Sequence, residues 1–140
     1  MSQTKTILIL FSTLSFICLS SCEPSTTYRR IIDNESDKDI WIYTNDTTPG
    51  VYLFQDSVLI PAKSDFTYMD ITLISSVSEY SDCPTFGSDL SHRIDDNDSL
   101  GLTKDLNEEW NYIFEKQLEK KIGGGGECSC TIHIKNSDIE

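Results

Sequence analysis

The segment WNYIFEKQLEKKIGGGGECSCTIHIK, residues 110–135, decides between a helical and an all-β interpretation of this chain. In its first half, apolar residues recur over 106–122 at the spacing of an amphipathic helix, but from Trp110 to Ile122 they also alternate at period two. In its second half, Cys130, Ile132 and Ile134 alternate with polar residues. A hairpin joined by the glycines at 123–126 explains both halves, whereas a helix explains only the first. We therefore predict two paired strands here, with a helix over 106–122 as the alternative.

Runs of β-branched and aromatic residues predict further strands along the chain. These runs are 28–33, 39–44, 51–54, 57–60, 66–74, 92–94 and 100–103. The polar stretch 34–38 is interpreted as a hairpin turn, and 45–50, 61–64 and 95–99 as loops or turns. Because 39–44 is apolar on both faces, it is typical of a central sandwich strand. The sequence predicts an all-β fold, a small antiparallel β-sandwich that is immunoglobulin-like or related, with one disulfide.

The N-terminus has the composition of an export signal. A polar start carrying Lys5 is followed by the apolar runs 7–11 and 14–19 and then by small residues. The apolar stretch is broken at Ser12 and Thr13 and is shorter than the roughly 20 residues that a membrane-spanning helix needs. Residues 1–21 are therefore interpreted as a cleaved signal peptide.

The sequence Leu19-Ser20-Ser21-Cys22 resembles the lipobox of bacterial lipoproteins. The resemblance implies cleavage before Cys22 and acylation of its thiol. The residues that follow are interpreted as a tether at 22–27 and a single β-rich domain at 28–140. The resemblance also implies an exported protein whose partner is the lipid bilayer, in the outer membrane on its periplasmic or surface face. The alternative is an ordinary cleaved signal, with Cys22 later joining a disulfide.

Three cysteines fall within the predicted domain, at positions 83, 128 and 130. In an oxidising compartment two of them should pair. The C-x-C spacing disfavours a bond between Cys128 and Cys130, which leaves Cys83 as the common partner. We predict a Cys83–Cys130 disulfide, because Cys130 shares the apolar face of the last strand. Cys128 is the alternative partner and is expected to be more exposed. A zinc site of three thiols and a histidine is the competing interpretation.

The charge balance excludes one class of partner. The whole chain has 23 acidic and 11 basic residues, a net charge of −12, and cleavage of the signal would remove only Lys5. Because nucleic-acid binding requires clustered Lys and Arg, nucleic acid is not an expected partner. The acidity favours solubility, or alternatively a cationic partner.

Trp41 and Tyr43 are the candidate binding surface, since both lie on one face of the predicted strand 39–44. An aromatic pair at this spacing can stack on a ligand, and the alternative is that both side chains pack against the protein itself. No catalytic motif, phosphate-binding loop or His-Glu-x-x-His pair is present. His92 and His133 are both interpreted as surface residues.

Two further patterns carry weaker hypotheses. The triplets that begin at Asp46, Asp56 and Asp98 resemble the Asp-Ser/Thr pattern for O-glycosylation of exported proteins in the Bacteroidota, which would place sugar on Thr47, Ser57 and Ser99. The acidic run 95–99 permits a loose calcium site, although it lacks the spacing of an EF-hand, and a solvated turn is the alternative.

The closing segment 130–140 resembles the last strand of many small lipoproteins of the Bacteroidota. Trp110 matches the aromatic strand that often precedes it, and 60–64 matches an Ile-Pro-x-x-Ser turn that those chains often carry. The resemblance implies a small β-sandwich and no particular activity.

Together these features predict a membrane-anchored, non-enzymatic module that binds an unknown protein or glycan. The alternatives are an acidic inhibitor-like domain directed against a cationic host factor or a lysozyme-type enzyme, and a hydrolase with a dispersed site. No catalytic residue, metal ligand or cofactor is assigned from the sequence.

Overall fold

The computed structural model describes residues 25–45, 52–74, 83, 89–118 and 125–140. Within these ranges the chain forms seven strands and two short 3-10 turns at Glu109–Asn111 and Asn136–Asp138. The strands are β1 Ser25–Asn34, β2 Ile40–Thr44, β3 Ser57–Ile60, β4 Ser64–Ile74, β5 Leu90–Ile94, β6 Ile113–Leu118 and β7 Gly126–Ile134.

The strands form two sheets that pack face to face. One has four strands in the order β4-β1-β7-β6, and the other has three in the order β3-β2-β5. The predicted all-β sandwich with one disulfide is therefore confirmed. The pairing differs from the prediction in one place, because β1 and β7 run parallel while every other strand pair is antiparallel within the described residues.

Strict alternation of buried and less buried residues defines the core side of the central strands. It runs through β1, β2 and β7, in each of which every second residue is buried. The fully buried aliphatic and aromatic side chains come from both sheets: Tyr28, Ile32, Ile40, Ile42, Ile60, Tyr68, Met69, Ile94, Ile132 and Ile134. Since successive residues of a strand point to opposite faces, this pattern leaves the intervening side chains on the two outer faces of the sandwich.

Strand β4 departs from alternation because of a β-bulge. Its register against β1 shifts between Arg30 and Ile31, where Met69 and Thr67 are the partners and Tyr68 is left over. A bulge adds one residue to a strand and reorients its side chains. Tyr68 and Met69 are consequently both buried although they are neighbours in sequence.

The hairpin predicted at the C-terminus is confirmed from Ile113 onward, and the helical alternative is wrong. Trp110, which the prediction included in the first strand, lies in a 3-10 turn. Strand β6 pairs antiparallel with β7 from Ile113, opposite Thr131, to Leu118, opposite Gly126.

The strands predicted at 51–54 and 100–103 are wrong. In the described part of the first run, Leu53 donates one backbone hydrogen bond to Tyr68. The second run is joined to 138–140 by backbone hydrogen bonds of Gly101 and Thr103 and by the isolated Leu102–Ile139 bridge, a pairing too short to form a strand.

The polar stretch 34–38 is not the hairpin turn that we expected, because it joins strands of different sheets. Instead of a ladder, a buried side-chain network holds this corner. The Asn34 amide nitrogen donates to the carbonyls of Lys38, Ile60 and Pro61, and its oxygen accepts a 2.6 Å hydrogen bond from the Ser36 hydroxyl. Buried polar groups that are satisfied in this way fix the direction of the chain.

The domain begins earlier than predicted, since β1 starts at Ser25 rather than at Tyr28. Residues 25–27 pair with β4 on one side, and Thr26 and Thr27 also pair with β7 on the other. Residues 25–27, which were assigned to the predicted tether at 22–27, therefore belong to β1. The predicted signal peptide and Cys22 lie outside the described residues. In the part of the chain that the structure describes, no helix is long and apolar enough to cross a membrane.

The predicted disulfide is present between Cys83 and Cys130, with the Cα atoms 5.8 Å apart. The zinc site of three thiols is therefore wrong, because Cys128 is the remaining free thiol among the described residues. The expected exposure of Cys128 is also wrong, since its side chain is fully buried. Strand β7 already begins at Gly126, so Cys128 is paired with Tyr28 on one side and Lys116 on the other. Burial raises the pKa of this thiol.

We predict that Cys83→Ser and Cys130→Ser each lower the free energy of unfolding by about 2–5 kcal/mol, the usual cost of losing a native bridge. Both should be made in a Cys128→Ala background, which prevents the buried thiol from taking over the bond. Cys128→Ala alone should cost only about 1 kcal/mol, because it removes one buried sulfur and breaks no cross-link. Urea unfolding measures all three changes. Non-reducing peptide mapping that joins Cys83 to Cys128 would contradict the assignment.

Candidate functional site

The outer face of the three-stranded sheet carries the aromatic pair predicted from the sequence. Trp41 and Tyr43 alternate with the buried residues of β2, so both project outward and are partly exposed. Their ring centroids are 6.5 Å apart and the ring planes differ by 26°, which is a stacked arrangement. In register beside Trp41 lie Leu59 of β3 and Arg93 of β5. The structure thus brings the two predicted residues together on one surface.

This surface continues into a shallow groove of about 450 Å³. The lining combines apolar and acidic side chains, namely Trp41 and Leu59 with Asp39, Asp95 and Asp96. None of the three carboxylates was linked to the aromatic pair by the sequence. They reach the groove because Asp39 immediately precedes β2 and the other two immediately follow β5, and these two strands are antiparallel neighbours. We name this surface the aromatic groove.

The acidic side of the aromatic groove is fixed by local bonds. Asp95 forms an ion pair of 2.7 Å with Lys38, and its other oxygen accepts a 2.9 Å hydrogen bond from the Asp39 amide. The hydrogen bond from the Lys38 ammonium is the largest cause that lowers the pKa of the Asp95 carboxyl, and the hydrogen bond from the Asp39 amide is the next largest. Asp95 and Asp96 both have positive φ angles, 47° and 54°, and aspartate tolerates this region better than most residues. The groove therefore keeps an ionised carboxylate in a defined position.

The turn 95–99, considered as a loose calcium site, is organised around a protein cation. Arg93 Nε lies 2.9 Å from an oxygen of Asp98, and Arg93 Nη1 lies 3.5 Å from an oxygen of Asp96. A guanidinium thus sits between the carboxylates that a calcium ion would need. This arrangement favours the solvated turn.

The three predicted glycosylation positions differ in setting. Ser57 lies at the start of β3 in register with Tyr43, so it borders the aromatic face. Ser99 is exposed in the turn after β5, where its amide donates to the Asn97 side chain. Thr47 lies outside the described residues. Sugar attachment at these positions stays a prediction.

His92, expected at the surface, is partly buried beside a second groove of about 430 Å³. Its Nε2 accepts a 3.0 Å hydrogen bond from the Leu102 amide, so this nitrogen carries no proton. Burial lowers the pKa of His92, and the nearby Asp105 opposes that shift. With Nε2 occupied by a backbone donor, His92 serves to fix the 100–103 segment against β5.

His133 faces outward as predicted, but it is joined by two carboxylates that the sequence did not identify. Its Nδ1 lies 3.0 Å from an oxygen of Asp33 and 2.8 Å from an oxygen of Glu35. Asp33 is its direct neighbour across the parallel β1–β7 pair, and Glu35 follows the end of β1. Sequence reasoning missed this cluster because it depends on the parallel register of strands about 100 residues apart. The alternation of β7 could show only that His133 faces outward.

The core holds a cation that sequence reasoning also missed. Arg30 occupies an inward position of β1 and is only 1% exposed. Its Nε and Nη2 have no hydrogen-bond partner within the described parts of the chain. The guanidinium carbon lies 4.2 Å from the ring centroid of Tyr112 and 5.7 Å from that of Tyr68. The strand predicted at 28–33 already places Arg30 on one face with Tyr28 and Ile32.

The two tyrosines around Arg30 are linked to each other. The Tyr112 hydroxyl donates to the Leu106 carbonyl at 2.7 Å, so the Tyr68 hydroxyl must donate to Tyr112, at 2.9 Å. Burial raises the pKa of both hydroxyls, so both stay protonated near neutral pH. The rings thus present their faces to the guanidinium while their hydroxyls are satisfied elsewhere. Cation–π attraction of this kind reaches about 2 kcal/mol when the cation is desolvated.

Comparison with known proteins adds no relative to this description. No protein-family model, curated protein or solved structure matches the chain.

We predict that replacing Arg30 by methionine raises the free energy of unfolding by about 1–2 kcal/mol. Methionine fills a similar volume and removes a buried charge with two unsatisfied nitrogens, and such replacements are often neutral or stabilising. Arg30→Ala should instead lower the free energy by roughly 2–3 kcal/mol, because it leaves a cavity between the two tyrosines. Urea unfolding of the two variants separates the effect of removing the charge from the effect of removing the side-chain volume. A loss of stability in Arg30→Met as large as in Arg30→Ala would show that the guanidinium itself stabilises the core.

Proposed function

We propose that this protein is an exported lipoprotein, acylated at Cys22, whose β-sandwich is a non-enzymatic module that binds a protein or a glycan. The observation that carries the binding role is the aromatic groove, where the outward Trp41–Tyr43 pair adjoins three carboxylates. The observation that carries the anchoring role remains the lipobox-like sequence at residues 19–22.

The chemistry of the aromatic groove suits both classes of ligand. A flat indole can stack on the C–H face of a sugar or on the side chain of a lysine or arginine. The adjacent carboxylates of Asp39, Asp95 and Asp96 can accept hydrogen bonds from hydroxyl or amino groups. A few polar groups placed beside an apolar surface are the usual composition of a binding site.

The inhibitor-like alternative draws less support from the acidic loops. Asp37 is paired with Lys63 at 2.9 Å, Asp95 with Lys38 and Asp98 with Arg93. Because these carboxylates are already balanced within the molecule, they offer a weaker field to a cationic partner. The hydrolase alternative draws no support from His92, whose Nε2 is occupied, and His133 lies on the outward face of a sheet.

The position at which β1 starts determines how far from the bilayer the proposed anchor would place the β-sandwich, and in which orientation. Only Glu23 and Pro24 separate Cys22 from Ser25, so the sheet would begin within about 10 Å of the acylated residue. Strand β1 has ten residues and spans about 30 Å. The 34–38 corner and the adjoining Asp39 lie at its far end. The acidic end of the aromatic groove would therefore face away from the bilayer.

For the anchor, we predict that Cys22→Ser moves the protein from the membrane fraction to the soluble fraction and abolishes incorporation of labelled palmitate. The reason is that the thiol of Cys22 would be the point of lipid attachment. A residue that carries several acyl chains binds a bilayer far more tightly than a residue that carries one acyl chain. Cys128→Ser is the matched control, since it removes a different free thiol and should change neither result. Retention of Cys22→Ser in the membrane fraction would refute the proposed anchor.

For the binding role, we predict that Trp41→Ala weakens capture of ligand by about 2 kcal/mol, or roughly thirtyfold, as for an aromatic hot-spot residue. Ligands would be sought with the mature domain on a glycan array and by affinity capture from envelope extract. Trp110→Ala is the control, because Trp110 is 77% exposed but lies outside the groove. Equal binding by wild type and Trp41→Ala, for every ligand found, would place the binding surface elsewhere.

A further inference from the structure

We propose that Asp33, Glu35 and His133 form a binding site for a divalent transition-metal ion, for which Zn²⁺ is the first candidate. The site is independent of the aromatic groove and revises the expectation that the chain has no metal ligands. It lies on the outward face of the four-stranded sheet, at the end of the parallel β1–β7 pair. Each residue offers one ligand atom, and the three atoms lie within 4.8 Å of one another.

The geometry suits a metal ion better than a proton. Nδ1 of His133 faces the carboxylates of Asp33 and Glu35 at once, at 3.0 and 2.8 Å, but it can donate only one proton. A tetrahedral ion with ligand bonds of about 2.0–2.2 Å separates its ligand atoms by roughly 3.4 Å. The two distances from Nδ1 to the carboxylate oxygens therefore need to lengthen by only about half an ångström, which small side-chain rotations supply.

The surrounding charge independently favours a cation. Asp65 lies directly opposite Asp33 in the antiparallel β1–β4 pair, so the two side chains share the outward face. Like charges in this position destabilise a sheet. Close to these three carboxylates lie the imidazole and Lys135, whose Nζ is 3.7 Å from the second oxygen of Glu35. The nearby ammonium groups of Lys63 and Lys104 are paired with other carboxylates, those of Asp37 and Asp138. A divalent ion at the cluster would relieve this repulsion.

The ligand positions are held by the fold. Asp33 and His133 are fixed by the strand register. Glu35 lies just beyond β1, where its backbone carbonyl accepts a 2.7 Å hydrogen bond from Lys63. The backbone carbonyl of His133 accepts a 2.6 Å hydrogen bond from the Lys104 ammonium. A site on paired strands, with its one loop ligand anchored through the backbone, is preorganised for binding.

The ligand set identifies the class of metal. An imidazole nitrogen favours Zn²⁺ and similar transition ions, whereas Mg²⁺ and Ca²⁺ prefer oxygen ligands alone. Three protein ligands leave one coordination position of a tetrahedral ion for water. About a third of each of the three side chains is exposed, so solvent reaches this position.

The test is titration of the mature domain, residues 23–140, with ZnCl₂ by isothermal calorimetry, and with MgCl₂ as the competing hard cation. We expect one Zn²⁺ per chain and no response to Mg²⁺. His133→Gln and Glu35→Gln should each weaken Zn²⁺ binding by more than tenfold, because even residues that only support a metal ligand are worth about 10–100-fold. Glu35→Gln keeps the test valid if His133→Gln perturbs β7, since Glu35 lies outside the strands.

Asp65→Asn is the matched control. It removes one negative charge from the same face without removing a ligand atom, so it should weaken Zn²⁺ binding by less than about threefold. Cys128→Ala, which deletes the free thiol, should leave binding unchanged. Three results would each overturn the proposal: no binding of Zn²⁺ to the wild type, unchanged binding by His133→Gln, or equal losses in Asp65→Asn and Glu35→Gln.

Discussion

The parallel pairing of β1 with β7 is the constraint on which the rest of the structure depends. Strand β1 is hydrogen-bonded on both edges, to β4 and to β7, and it brings the two ends of the described chain together in one sheet. Its register against β7 places Tyr28 so that its hydroxyl lies 3.0 Å from the Cys130 sulfur of the disulfide. The same register places Asp33 beside His133 on the opposite face. One pairing therefore organises a core contact and a candidate metal site.

The core of this sandwich contains a buried cation, Arg30. Arg30 lies at the middle of β1, and its guanidinium contacts the ring faces of two tyrosines. No carboxylate is paired with it among the described residues. Burying a cation without an anion is costly, and the Tyr68 and Tyr112 rings recover only part of that cost. The β-bulge at Tyr68 is the local feature that turns this ring inward next to Met69. The bulge and the buried cation therefore belong to one arrangement.

The sequence was sufficient for properties that depend on local alternation. The strands β1 and β2 followed from runs of β-branched and aromatic residues, and β7 followed from a period-two pattern. The disulfide followed from the cysteine spacing and from the apolar face that Cys130 shares. The hairpin of β6 and β7 followed because the two halves of the segment 110–135 had to be explained together. The strands predicted at 51–54 and 100–103 were wrong, although the equally short runs 57–60 and 92–94 do lie in β3 and β5. The composition of a short run therefore does not show whether a partner strand will lie beside it.

Properties that depend on distant pairing were not available from the sequence. A parallel neighbour leaves the same alternation as an antiparallel one, so the proximity of His133 and Asp33 could not be read from either strand. Likewise, the 34–38 stretch has the composition of a turn whether it joins strands of one sheet or of two. Only the packing of Asn34 and Ser36 under the corner distinguishes these cases.

That corner also explains why both candidate sites lie at the same end of the sandwich. The side chain of Glu35, in this corner, contacts His133 on one outer face. The side chain of Lys38, also in this corner, contacts Asp95 at the aromatic groove on the other outer face. Between them, the Asn34 network ties the corner to the turn after β3, and an exposed hydrogen bond joins the Asp37 amide to Asn136. Side chains on such a braced segment lose little further freedom when a ligand binds, which is the condition for a preorganised site. The stability of the corner and the geometry of both sites therefore rest on the same buried hydrogen bonds.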